Sequence, residues 1–162
     1  MKFAIISAIA AIAQSAKTDF PKFDLTHAHC QMEATFETDC STVYASLDKL
    51  VKSKFDPAQG EYNLVEDTDG DYVWATRTTP NKKYTDDVMV EVQSSSNGTC
   101  HLVGKSKSQA LSVYDYEVNY CNVYNLYRSL KFSSPVSFSK PTTSQCNWIP
   151  IDNLIDIRCS QY

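Results

Sequence analysis

Residues 61–77 read EYNLVEDTDGDYVWATR. Two runs rich in Tyr, Val, Leu, Trp and Thr flank Asp-Thr-Asp-Gly. Asp-Gly between such runs signals a β-hairpin. The stretch 79–83, TPNKK, is a second turn signal. After it, DDVMVEV (86–92) alternates Val88, Val90 and Val92 against Met89 and Glu91, the period of a strand. A polar SSSNG loop leads to CHLVGKSKSQA (100–110), read as another strand carrying Leu102 and Val103. Upstream, TVYASLDKLVKSKF (42–55) sets Val43, Leu47, Leu50 and Val51 on one helical face. Ser41 or Thr42 is its expected N-cap, and the 56–60 stretch with Pro57 ends it. Before that helix, HAHCQMEATFET (27–38) suits a strand.

Downstream, DYEVNYCNVYNLYRSLK (115–131) reads as a helix capped by Asp115. Its expected apolar stripe is Val118, Cys121, Leu126 or Tyr127, and Leu130. From 133 the chain turns Ser/Pro/Thr-rich and closes on CNWIPIDNLIDIRC (146–159), expected as a loop with one short strand or helical turn. Strands run between two helices, so the expected class is α+β: an antiparallel sheet with two helices packed on it and a disulfide-tied C-terminal tail. The expected organisation is a leader over 1–15, an extended arm over 16–28, an α+β domain over 29–132 and the tail over 133–162. A length of 162 residues suits one such domain, and a net charge of −4 gives no electrostatic reason to bind nucleic acid.

The start, MKFAIISAIAAIAQSA, has one Lys, an apolar run over 3–13, and small residues offering cleavage after Ala13 or Ser15. This is the pattern of a secretory signal peptide. A run of about eleven residues is shorter than the roughly 20 of a membrane span, and no later run is apolar enough to cross a bilayer. Cys30, Cys40, Cys100, Cys121, Cys146 and Cys159 then imply disulfides in an exported chain. Cys30–Cys40 is disfavoured, since ten extended residues span roughly 33 Å. Cys146–Cys159 is the expected tail bridge. No CxxC spacing suggests zinc. Asn97-Gly98-Thr99 is an acceptor for an N-linked glycan.

Two stretches, YTDDVMVEV (84–92) and SKSQALSVYDYEVNY (106–120), carry a family resemblance over about residues 40–130. The chain resembles the domain-of-unknown-function family numbered 1499. In that pattern a strand ends in a Ser-x-Ser-Arg-like run, followed by an Asp and then an Asn entering a helix. Here these are Ser106, Ser108, Asp115 and Asn119, with Asp86 and Asp87 leading the preceding strand. Gln109 stands where Arg is usual, the spacing to Asp115 is one residue longer, and the glycine between Asp and Asn is absent. The resemblance implies a fold and no activity. If Asp86 or Asp87 reaches Asn119 or Ser108, the motif is a polar staple between strand and helix, and such a cluster must be fully satisfied.

Catalytic readings are thin. Adjacent residues on a strand face opposite sides, so Asp86 and Asp87 cannot converge on one substrate. One is expected to cap a turn or pair with Lys or Arg, the other to be solvated. Asp67–Asp71 lacks the Gly and Glu positions of a calcium loop and reads as the hairpin turn. His27 and His29 share a strand face but make only two ligands. His101 beside Cys100 suggests a nucleophile pair, which a disulfide would abolish. No GxSxG, P-loop or HExxH occurs. No catalytic residue, metal or cofactor is assigned. Arg77, Lys82 and Lys83 make a small basic patch. Tyr116, Tyr120, Tyr124 and Tyr127 fall on one helical face, either packed on the sheet or offered as an interface. The sequence thus points to a secreted, non-enzymatic structural or interaction protein. It would meet copies of itself or an extracellular partner through the arm or the Tyr face, building a fibre or coat. A small apolar-ligand (lipid) carrier and an unrecognised hydrolase are the alternatives.

Overall fold

The structure is a computed structural model and describes residues 19–94, 98–130, 137–138 and 145–162. The order is β1 (His29–Phe36), α1 (Cys40–Lys52), β2 (Glu61–Thr68), β3 (Tyr72–Thr78), β4 (Thr85–Ser94), β5 (Cys100–Ser108), α2 (Val118–Ser129) and the two-residue β6 (Ser137–Phe138). A 3-10 turn (Asp152–Leu154) and the short α3 (Ile155–Cys159) follow. One antiparallel sheet runs β2-β3-β4-β5-β1-β6. The protein is α+β, with α1 and α2 on one sheet face and a C-terminal segment tied down by disulfides.

The hairpin that opens the reading forms as expected. Thr68 pairs with Tyr72, the Asp71 N–H donates to the Thr68 carbonyl at 2.9 Å, and Gly70 takes φ +75°. Glycine holds that left-handed conformation without a Cβ penalty. Alternation then sorts the strands. Met32, Ala34, Phe36, Val73, Ala75, Val88, Val90 and Leu102 join Val43, Leu47, Val51, Val123, Leu126 and Tyr127 in one core. Gly104 lets α2 approach, since a Cβ there would sit 2.4 Å from Val123 Cγ1 and 2.7 Å from Tyr127 Oη.

Both helices start elsewhere than the sequence suggests. Helix α1 begins at Cys40, anchored to β5 by the Cys40–Cys100 bridge, and neither Ser41 nor Thr42 caps it. The backbone carbonyl of Asp39 takes the first N–H groups instead. Helix α2 begins at Val118 because Tyr116 and Glu117 hold left-handed φ of 55° and 66°. Asp115 still caps from outside: its Oδ2 accepts the Asn119 N–H at 2.9 Å. The two left-handed residues lie between the Asp and the Asn, where glycine is lacking.

The expected Cys146–Cys159 bridge does not form. The pairs are Cys30–Cys146, Cys40–Cys100 and Cys121–Cys159. The segment around Cys146 runs beside β1, where the Gln31 N–H donates to the Gln145 carbonyl, while α3 packs on α2. Each end of the tail is therefore fastened to a different element. Cys30 and Cys40, as expected, do not meet.

The opposite sheet face takes Phe20 and Phe23, while Thr26 and Ala28 lead into β1 with their carbonyls accepting the Ser112 and Ser108 N–H groups. Phe20 is buried against Tyr72 and Met89, with Phe23 and Trp74 beside it. Lys107 Nζ donates to the Lys22 carbonyl at 2.6 Å and to Asp24 Oδ2 at 2.7 Å. This part of the arm is packed on its own sheet rather than extended. Among the described residues, no helix is long and apolar enough to cross a membrane. The leader, residues 16–18 and Asn97 lie outside the described residues.

Candidate functional site

The pleat of β4 sends Asp86 toward the helices and Asp87 to the opposite face, and neither is solvated. That corrects the expectation that one of the two, beside a partner capping a turn or paired with Lys or Arg, is solvated. Strand β4 lies inside the sheet and is covered on both sides. Asp87 accepts Trp74 Nε1 and Gln109 Nε2, each at 3.1 Å. Gln109 thus serves Asp87.

On the helix side the motif residues join. Asp86 Oδ2 accepts Asn122 Nδ2 at 2.8 Å, and Ser108 also hydrogen-bonds Asp86. The second Asn122 amide hydrogen goes to Ser106 Oγ at 2.9 Å. Ser106 Oγ donates to Asn119 Oδ1 at 2.7 Å. Asn119 Nδ2 divides its hydrogens between Ser108 Oγ (2.9 Å) and Asp115 Oδ2 (2.7 Å). So Asp86, Ser106, Ser108, Asp115 and Asn119 form a staple from the sheet to the start of α2.

The network extends to Asp56, Tyr62 and Asn122, not singled out from the sequence, and to Arg77, expected there in a basic patch. Arg77, opposite Asp86 in register, donates from Nη1 to Asn122 Oδ1 at 2.9 Å and from Nε to Asp56 Oδ2 at 2.8 Å. The Arg77 and Asp56 side chains are wholly buried, so Arg77 belongs to no surface basic patch. Tyr62 Oη donates to the Asn122 carbonyl at 2.9 Å. Asn119, Asn122 and Asn125, spaced by three on the inward face of α2, were the available signal. So was Arg77, which continues the inward alternation of Val73 and Ala75.

Burial dominates the electrostatics. Desolvation pushes the Asp86 carboxyl up, opposed by hydrogen bonds from Asn122 and Ser108 and by Arg77, while the Asp115 charge pushes it further up. Asp115 is likewise raised by burial, against the Asn119 hydrogen bonds.

A groove of about 680 Å³ opens beside this network, between the 79–85 turn, the 110–116 loop and the C-terminal Gln161 and Tyr162. Asp86, Ser108 and Asp115 line it, as do Tyr84, Tyr114, Tyr116 and Tyr162. Leu111 and Val113, at 80% and 75% exposure, stand at its edge.

The expected tyrosine face is divided by the tertiary structure. Tyr127 lies in the core, donating to the Met32 carbonyl at 3.0 Å. Tyr120 is buried and stacked on Tyr124, whose Oη donates to Asp156 Oδ1 at 2.7 Å. Tyr116 precedes the helix and is exposed at the groove. Lys82 and Lys83 are exposed on the 79–85 turn. His27 Nδ1 lies 2.9 Å from Asp24 Oδ1, His29 stacks on Phe23, and His101 Nε2 is 3.4 Å from Glu33. Cys100 is bridged to Cys40, which removes the Cys–His nucleophile. Among the described residues, no group of three or more His, Cys, Asp or Glu is placed to hold a metal ion.

No family model matches the chain, and no curated protein matches it. Among solved structures, protein CV1439 from Chromobacterium violaceum is similar over 64% of this chain and 94% of its own, with TM-score 0.45 and 12% identity.

Proposed function

We propose that the chain is a secreted, disulfide-braced, non-enzymatic binding protein that takes its ligand in the groove beside Asp86 and Asp115. The carrying observation is the groove itself: an apolar edge of exposed Leu111 and Val113 beside a polar, hydrogen-bonded wall. A concave site with a few convergent polar groups is where small ligands bind. Three disulfides and the leader pattern support export, and Asn97 would carry a glycan. The Ser106 hydroxyl is buried and donates to Asn119 Oδ1, and that of Ser108 lies between Asn119 Nδ2 and Asp86, so both are held within the network. The network coincides with the residues that resemble the family numbered 1499, and we read it as that family's structural staple.

Self-association is the second reading, now through the Leu111–Val113 edge. Phe20 of the arm and Tyr127 of the helix are already spent within the chain. The test combines light scattering with thermal shift on the secreted protein and a Leu111→Asp/Val113→Asp variant. A monomer whose melting temperature rises with neutral or charged amphiphiles, an effect lost in the variant, is the expected result. A dimer that the variant dissociates selects self-association. No shift with any amphiphile would remove the binding reading.

A further inference from the structure

We propose that the groove takes an organic cation, an amine or quaternary ammonium on a short apolar body, held among Tyr84, Tyr114, Tyr116 and Tyr162 beside the carboxylates of Asp86 and Asp115. This deepens the binding reading above and rests on it.

The first argument is the wall. Tyr84, Tyr114 and Tyr116 are 56%, 45% and 56% exposed, which is costly apolar surface unless something covers it. Aromatic faces attract cations through the ring quadrupole. Two of the rings are held by neighbours. Tyr114 meets Tyr116 edge-on at 4.3 Å and Trp148 at 4.2 Å, and Trp148 Nε1 donates to the Val113 carbonyl at 3.0 Å. Rings fixed before binding lose little freedom on contact. The chain already seats a cation on one of these tyrosines: the Arg158 guanidinium lies 5.4 Å from the Tyr162 centroid.

The second argument is charge. Asp86 and Asp115 belong to the groove's lining, as does Lys83 on its exposed turn. Arg77 faces Asp86 from β3, but its Nε is engaged by Asp56 and its Nη1 by Asn122. Arg158, from α3, is paired with Glu117 at 2.5 Å. Lys83 stands on the 79–85 turn. Arg77 already favours the ionised form of Asp86, so an incoming ammonium would chiefly supply a counter-charge to Asp115, whose hydrogen bonds come from the Asn119 and Glu117 N–H groups. An anionic head would meet the two carboxyls with like charge. Burial holds both carboxyls above their usual range, so a bound cation favours their ionised forms. Affinity therefore rises with pH through the carboxyl range.

The test is calorimetric titration of the intact, disulfide-bonded protein with hexyltrimethylammonium, hexanol and hexyl sulfate. Hexyltrimethylammonium is expected to bind at least tenfold more tightly than the other two, and more tightly at pH 7 than at pH 4. Tyr84→Ala and Tyr114→Ala, at exposed positions, should each weaken it at least fivefold with little change in melting temperature. Asp115→Asn should bring the cation close to hexanol; if that variant misfolds, the tyrosine variants still decide. Equal binding of hexanol, sensitive to Tyr84→Ala, overturns the cation while leaving the groove. A preference for hexyl sulfate also overturns the cation. Failure of all three probes overturns both readings.

Discussion

The interface between α2 and the sheet is built in two chemistries. Toward β1, Tyr127 meets Phe36 edge-on at 6.2 Å, and Val123 packs over Gly104. Toward β3, β4 and the C-terminal end of β5, the same helix offers Asn119 and Asn122 to Arg77, Asp86 and Ser106. The apolar half tolerates graded change, because each lost methylene costs only its own transfer and cavity terms. The polar half is close to all-or-none. Removing one member strands buried partners such as Asp56, Asn119 and Asn122 without their hydrogen bonds.

The largest effect should come from breaking the buried ion pair. Arg77→Met leaves Asp56 buried without its partner and should cost about 3–5 kcal/mol. The double variant Arg77→Met/Asp56→Leu should recover much of that, since apolar replacement of a buried pair is often neutral. Guanidinium unfolding of both variants reads this, and a single-variant loss under about 1 kcal/mol would contradict the stranded-charge argument.

Two glycines sharpen the comparison at a smaller scale. Gly104→Ala drives a Cβ into the ends of Val123 and Tyr127 and should cost about 1–3 kcal/mol. Gly60→Ala meets Asp56 Oδ2 at 2.4 Å and the Thr78 carbonyl at 2.6 Å, near Arg77. A backbone oxygen and a pinned carboxylate cannot swing aside, so Gly60→Ala should cost more than Gly104→Ala. Melting temperatures of the two variants rank them.

The smallest effect is on pH dependence. Asp86 and Asp115 have folded pKa values raised by burial. A raised carboxyl favours folding fully below its unfolded pKa, and that contribution is lost as pH rises through the folded value. Stability should therefore slope downward from about pH 4 toward neutrality, less steeply in Asp86→Asn. Exposed carboxylates held low by lysines act below that window with the opposite sign: Asp24 by Lys107, Glu61 by Lys54, Asp67 by Lys52. Leu126→Ala, in the apolar half, should shift stability equally at every pH. Unfolding midpoints between pH 4 and pH 7 check both; a slope unchanged in Asp86→Asn would show that Asp86 stays ionised throughout.

Much of the site was legible because its residues sit in local patterns. Asp86 and Asp87 were separable by the pleat alone, and Ser106, Ser108, Asp115 and Asn119 lie in one short segment. The pairing of Arg77 with Asp56 was not legible. Their partnership closes across 21 residues of sequence, and a lone Arg in a strand usually faces water. The tyrosines misled for a related reason. Helical spacing assigns Tyr120, Tyr124 and Tyr127 to one side of α2, but burial there depends on what lies opposite. Tyr127 faces β1 and Tyr124 faces α3.

The sequence alone determined the class of fold, the hairpin at Asp69–Asp71, the inward faces of β4 and α1, and that six cysteines would pair. These follow from short-range geometry: side-chain period, turn stereochemistry and an even cysteine count. Only the tertiary structure decided which cysteines meet, where the arm lies, that Arg77 pairs with Asp56, and that four tyrosines from three segments line one groove. Each depends on elements distant in sequence arriving together, which local periodicity does not encode.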